Sequence, residues 1–170
     1  PDLFDPLPRH TEHSGASLAV TLSAYRRVGG IPPLPLGEDR AFFAALRRID
    51  ARIRHAPEVR VTVSGRTRGR ASGGMADTIR RRMVRPDEML DERLEPAVNA
   101  ARRAELRSLA RVAWLNRHHS SHGIQLLASH LGFSSVETQS LLSFPYFGSA
   151  WATIEARSDF DTLKRPISML

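Results

Sequence analysis

The chain has no cysteine among its 170 residues. Disulfide bonds and thiolate metal sites are therefore excluded, and the composition is compatible with a reducing compartment. No apolar run approaches the ~20 residues that a membrane-spanning helix needs, and the first residues lack the pattern of a secretory leader. We therefore expect a cytoplasmic protein without a transmembrane segment. Because the first residue is Pro1 and not Met, we also expect a processed chain or a piece of a longer one.

Lysine is nearly absent, since Lys164 is the one lysine among 25 basic residues. The net charge is +7, and it is concentrated between Arg60 and Arg85, where eight arginines face the single acid Asp77 (eight minus one is seven). Such a cluster indicates a polyanionic partner, for example a sugar-nucleotide diphosphate, an acidic lipid surface or a nucleic acid. A general preference of the genome for arginine explains it equally well, so both interpretations stay open.

Strand patterns are confined to the first half of the chain. Alternation of Val59, Val61 and Val63 with polar residues predicts a half-buried strand over 59–64. The β-branched, apolar stretch Ser17–Thr21 predicts another, and Arg52–His55 is a third candidate. The first 85 residues are thus expected to be α/β.

Helical spacing of apolar residues, bounded by glycine and proline, recurs along the whole chain. The predicted helices are Leu22–Val28, Glu38–Ile49, a helix from near Ala76 to just before Pro86, Ala97–Trp114, Ile124–Leu131, Val136–Leu142 and Ser149–Arg157. In the long helix, Val98, Ala101, Leu109 and Val112 are expected near one face. Residues 86–170 are therefore predicted to form an all-helical second domain.

One segment carries a recognisable order of local elements. A small-residue loop at 13–17 leads into a short strand, a helix stopped by Gly29 and Gly30, a proline-rich loop, and then Gly37, Glu38 and Asp39 at the start of a new helix. This order resembles the acceptor half of family 2 glycosyltransferases of the GT-A fold, over roughly residues 10–75. The resemblance implies a partial GT-A, Rossmann-like half at residues 1–85 and a helical C-terminal extension at 86–170.

The resemblance also implies roles for the two acids. In inverting members of that family the aspartate of such a pair is the general base that takes the proton of the acceptor hydroxyl. That role falls on Asp39, with Glu38 helping to hold the acceptor. A carboxylate at a helix start also stabilises the helix by itself, because it faces the positive end of the helix dipole.

Further site residues follow from the same resemblance. The floor of the sugar pocket would be His13, Ser14, Gly15 and Ser17, where a glycine permits close approach of a ligand to the backbone. The phosphates of the leaving nucleotide would be held by Arg66, Arg68 and Arg70, whose guanidinium groups match phosphate geometry. The implied partners are a nucleotide-sugar donor and an unidentified acceptor.

A divalent metal, Mg or Mn, is implied by the resemblance alone. The Asp-x-Asp motif that should hold it is missing before residue 13, and the triplet Asp159–Asp161 comes after the acceptor half, where we take it as chance. No metal ligand is therefore assigned in this chain. We expect that the nucleotide-binding half belongs to a longer polypeptide or that the piece cannot catalyse alone.

Two alternatives to a transferase fragment remain. The first is a non-catalytic interaction module, derived from a degenerate transferase, whose helical part binds a partner chain. The second is a helix-turn-helix DNA-binding protein based on residues 121–143, whose turn resembles that of arabinose-regulator-type activators. From His118 to Ala156 there is no lysine or arginine, which disfavours a nucleic-acid partner.

Histidines lie between the long predicted helix and the one that follows it. His118 and His122 have a zinc-compatible i, i+4 spacing, but without a third ligand they are expected to lie in a polar break between helices.

An incomplete sheet has an exposed edge that invites pairing, so homo-oligomerisation is a further possibility.

Overall fold

The structure, a computed structural model, describes residues 15–85 and 96–158. These residues form seven α-helices and no β-strand. The helices are α1 (Leu22–Arg27), α2 (Glu38–Arg48), α3 (Met75–Val84), α4 (Ala97–Leu115), α5 (His122–Leu131), α6 (Ser135–Leu142) and α7 (Phe147–Arg157). In the described ranges, no helix is long and apolar enough to cross a bilayer.

The predicted α/β class, with a partial GT-A half, is therefore wrong. A strand exists only through pairing with another strand, and none of the three predicted strands finds a partner within residues 15–85 and 96–158. Val59, Val61 and Val63 are all exposed, and no backbone hydrogen bond joins Arg60–Val63 to another described residue. The alternation of apolar and polar side chains makes the segment suitable for a strand, but the segment also needs a neighbouring strand to pair with.

The helix predictions are confirmed, because local signals determine these helices. The side chain of Thr21 accepts a hydrogen bond from the amide of Ala24 (3.3 Å) and so caps the start of α1. Two glycines with positive φ, Gly29 at 79° and Gly30 at 84°, end it. Gly37, with φ of 74°, turns the chain into α2.

The described part of the chain divides into two compact units. The first contains α1, α2 up to Arg47, and α3. Its buried apolar residues are few, with Phe42, Phe43 and Leu46 from α2 and Ala76 from α3. The ring of Phe42 packs against that of Tyr25, with the centroids 5.8 Å apart.

The second unit contains α4–α7 together with Arg48–Asp50. Helix α4 packs against α5 and α7, and α6 packs between α5 and α7, so the four helices surround one core. That core consists of Leu106, Ala110, Ala113, Ile124, Leu127, Leu141, Leu142, Phe147, Trp151 and Ile154. Most of the buried apolar side chains of the described chain thus lie in this four-helix unit.

A long-range cap fixes the start of α7 in the second unit. The carboxylate of Asp50 accepts hydrogen bonds from the amides of Phe147 (2.7 Å) and Gly148 (2.9 Å). The hydroxyl of Ser149 donates to the carbonyl of Arg48 (2.9 Å). The two bonds to Asp50 satisfy amides of the first turn, which have no partner within the helix. They explain why α7 begins at Phe147, before the predicted Ser149.

Candidate functional site

The predicted acidic pair lies at the start of α2, in the first unit. One carboxylate oxygen of Asp39, Oδ2, accepts a hydrogen bond from the amide of Gly15 (2.8 Å). The other, Oδ1, accepts one from the amide of Arg40 (2.7 Å). The structure therefore brings Asp39 and Gly15 together. Both oxygens hold backbone amides, however, which is the arrangement of a carboxylate that ties a loop to a helix start.

The other predicted site residues do not join this contact. Glu38 is the exposed first residue of α2, and Ser17 is exposed in the loop before α1. The clamp arginines Arg66, Arg68 and Arg70 are exposed in the loop before α3. His13 and Ser14 lie outside the described residues. The roles of these residues in binding or catalysis stay predictions.

A metal site needs several His, Asp or Glu side chains close together. Within residues 15–85 and 96–158, no group of three His, Asp or Glu side chains is placed to hold an ion. His118 precedes α5 and His122 is its first residue, so the two do not share a helical face. The Asp159–Asp161 triplet lies outside the described residues. The divalent metal that the resemblance implied therefore stays an expectation.

The outer face of α4 is exposed along the helix in the part of the second unit that the structure describes. Six exposed residues follow one another there at alternating spacings of three and four, and we call them the α4 seam: Val98, Ala101, Glu105, Ser108, Val112 and Leu115. This is the a/d spacing of a coiled-coil seam. Val98, Val112 and Leu115 are 73%, 55% and 57% exposed.

The inner face of the same helix fills the core. Leu106, Ala110 and Ala113 are buried there, and Leu109 packs against the core cluster. Leu109 lies at the border between this buried face and the seam, because ~3.6 residues per turn place it close to Val98 and Val112 on the helix. The seam and the buried residues are two stripes at helical spacing on neighbouring sides of α4.

The charge of α4 is strongly positive. Four arginines, Arg102, Arg103, Arg107 and Arg111, accompany the single acid Glu105, which gives +3 (four minus one). Arg107 and Arg111 lie over the ring of Phe147 at 6.0 and 5.4 Å. Arg103 is paired with Glu155 of α7 at 3.4 Å.

A small cleft lies where the turn between α4 and α5 meets the start of α6. Its volume is about 310 Å³, at the low end of the range of small-molecule sites. The lining is polar, with Ile124 as its one apolar side chain among residues such as His118, Ser121 and Gln139. Small-molecule sites are mostly apolar, so this cleft lacks their usual character.

Residues 121–143 contain two helices, α5 and α6, joined by a short turn. Gly132, with φ of 70°, ends α5, and the hydroxyl oxygen of Ser134 caps α6 by accepting from the amide of Glu137 (3.1 Å). The exposed residues of α6 are Ser135, Val136, Gln139 and Ser140. None of them is cationic, whereas phosphate contacts supply most of the affinity of such modules for DNA.

The transferase resemblance finds no support in comparisons with known proteins. No protein-family model matches the sequence, and no curated protein or solved structure matches it at a significant level. Together with seven helices and no strand in the described residues, this makes the identification as a GT-A, family 2 glycosyltransferase wrong. What remains from the residues themselves is a helical unit with an exposed, heptad-spaced face.

Proposed function

We propose that this chain is a non-catalytic interaction module whose α4 seam binds an acidic amphipathic helix of a partner protein. The observation that carries the proposal is the seam itself, in which six exposed positions on a 19-residue helix follow coiled-coil spacing. A helix laid along it would use the helix-in-groove mode of recognition, with anchors every three or four residues.

The length and composition of the seam limit the affinity. From Val98 to Leu115 it extends ~26 Å, at ~1.5 Å per residue. Its apolar anchors are at the ends, while Glu105 and Ser108 form a polar middle. Burying a valine or leucine side chain contributes ~1.5–3 kcal/mol, but association also costs several kcal/mol of lost freedom. We therefore expect a transient complex.

The charge of α4 determines the kind of helix that fits. Four arginines against one acid, with Arg103 paired to Glu155 of α7 (3.4 Å), still leave α4 locally positive, which attracts an acidic partner and repels a basic one. DNA fits less well, because Glu105 lies in the middle of the seam and the apolar ends would remain without a partner. An acidic helix with apolar anchors satisfies both features.

A titration with a designed peptide tests the proposal. The probe is a fluorescein-labelled peptide of about three heptads, with Leu at a and d and Glu at e and g, whose negative charge keeps it from pairing with itself. We expect its anisotropy to rise on addition of the full chain, with a Kd on the order of micromolar to tens of micromolar. Added salt should weaken binding, because it screens the charges.

The matched control is a peptide of the same composition in scrambled order, which keeps the charge and removes the apolar stripe. Equal affinity for the two peptides contradicts the proposal, because it leaves only charge attraction. Absence of binding at about 1 mM chain, a concentration at which only ~4 kcal/mol of binding free energy suffices, also contradicts it.

A further inference from the structure

A second surface lies in the first unit and does not depend on the α4 seam. Val59, Val61 and Val63 are 61%, 53% and 58% exposed, and Arg60 and Thr62 between them are exposed as well. We call residues 59–63 the valine segment. Three exposed valines at every second position give one apolar face to any strand that the segment forms.

Most of the backbone of the valine segment makes no hydrogen bond to the rest of the described chain. The amide of Val59 donates to the carbonyl of Ala56 (3.2 Å), but from Arg60 to Val63 no backbone hydrogen bond reaches another described residue. A stretch with β-branched residues and free backbone groups is a template for pairing with another strand. The nearby Gly65 has no atom within 4 Å of the position that a Cβ would take, so at that end of the segment there is open space.

The order of residues favours a second copy of the same segment, paired antiparallel about Val61. In that register Val59 faces Val63 of the other copy and Val61 faces itself, so every apolar residue meets a valine. Arg60 then faces Thr62, and no like charges are directly opposite. A parallel, in-register pair would place Arg60 opposite Arg60, which is destabilising.

We infer that the valine segments of two copies of this chain form a two-stranded antiparallel ribbon around a two-fold axis at Val61. A C2 contact needs a self-complementary surface, and the order Val-Arg-Val-Thr-Val supplies one. Because a two-stranded ribbon is only marginally stable in water, the dimer is weak and is best detected by covalent trapping.

Because the chain has no cysteine, an introduced cysteine is the only thiol that can form a disulfide. In the full chain, Val61→Cys places two thiols opposite each other, with Cα atoms ~4.5–5.5 Å apart, within disulfide range. In the control Thr62→Cys the two Cα atoms are ~8 Å apart, which is too far for a disulfide. With oxidised glutathione as oxidant, the Val61→Cys chain should form covalent dimer about tenfold faster than the control.

A mixed experiment checks the register. Chains with Val59→Cys and Val63→Cys, carrying tags of different size, should give mainly the heterodimer when oxidised together. Equal rates for Val61→Cys and Thr62→Cys would overturn the inference, since they indicate either random collision or a parallel pair. Circular dichroism confirms that each variant is folded, and substitution of these exposed residues should change stability by only about 0.5 kcal/mol.

Discussion

Replacing Phe147 with alanine should strongly lower the free energy of unfolding of the second unit. Phe147 begins α7 and is 2% exposed within the core. Its ring packs against Trp114 with the centroids 6.0 Å apart. Its removal leaves a cavity, and such substitutions of buried phenylalanine typically cost 3–5 kcal/mol. Since domains are stable by only ~5–15 kcal/mol, this is a large fraction of the total.

Urea unfolding followed by circular dichroism measures the effect. The matched control is Val136→Ala on α6, because Val136 is 79% exposed and its truncation should change the free energy of unfolding by only about 0.5 kcal/mol. The two variants should differ clearly in unfolding midpoint. Equal midpoints would mean that the core is not built around α7 as the structure has it.

Placing acids on the α4 seam should abolish binding of the acidic peptide. The double variant Val112→Glu with Leu115→Glu removes two apolar anchors and adds two charges of the same sign as the peptide. Loss of the anchors alone costs about 2–4 kcal/mol, which is roughly 30- to 1,000-fold in Kd. Like-charge repulsion increases the loss further.

Two controls separate the causes of that loss. Val112→Ala with Leu115→Ala removes the anchors without adding charge, and should weaken binding by less than the acidic pair does. Val136→Glu adds an acid at an exposed position outside the seam, and should leave the affinity within about twofold. If the variant with Val112→Glu and Leu115→Glu binds the peptide as tightly as the native chain does, the seam is not the binding surface.

The helices were predictable because their signals are local. Thr21 caps α1, Gly29 and Gly30 end it, and Gly132 ends α5 in a left-handed conformation. Apolar residues at helical spacing then indicate which stretches bury a face.

Features that depend on distant residues were not predictable in this way. The valine segment has the alternation of a strand, but strand formation needs a partner that a single sequence does not identify. The cap that Asp50 makes on α7 joins residues 97 positions apart. The spacing of apolar residues on α4 is also compatible with burial of either of two stripes. The packing of α4 against α5 and α7 determines which one is buried.

The catalytic role of Asp39 stays a prediction. Its carboxylate accepts a hydrogen bond from the amide of Gly15 at 2.8 Å. The fold that gave this contact its catalytic interpretation is absent from the described residues. An acid at a helix start serves equally to hold a loop, so the pattern alone could not separate a base from a structural carboxylate.

Alkylation of single cysteines tests the α4 seam most directly. The chain has no native cysteine, so Val112→Cys reports on the seam and Val136→Cys on an exposed residue of α6 that lies outside it. With saturating acidic peptide, maleimide labelling at position 112 should slow about tenfold, as expected when a thiol becomes buried in an interface, while labelling at position 136 stays unchanged. If the peptide binds and position 112 is labelled as fast as before, the claim that α4 presents the binding face is contradicted.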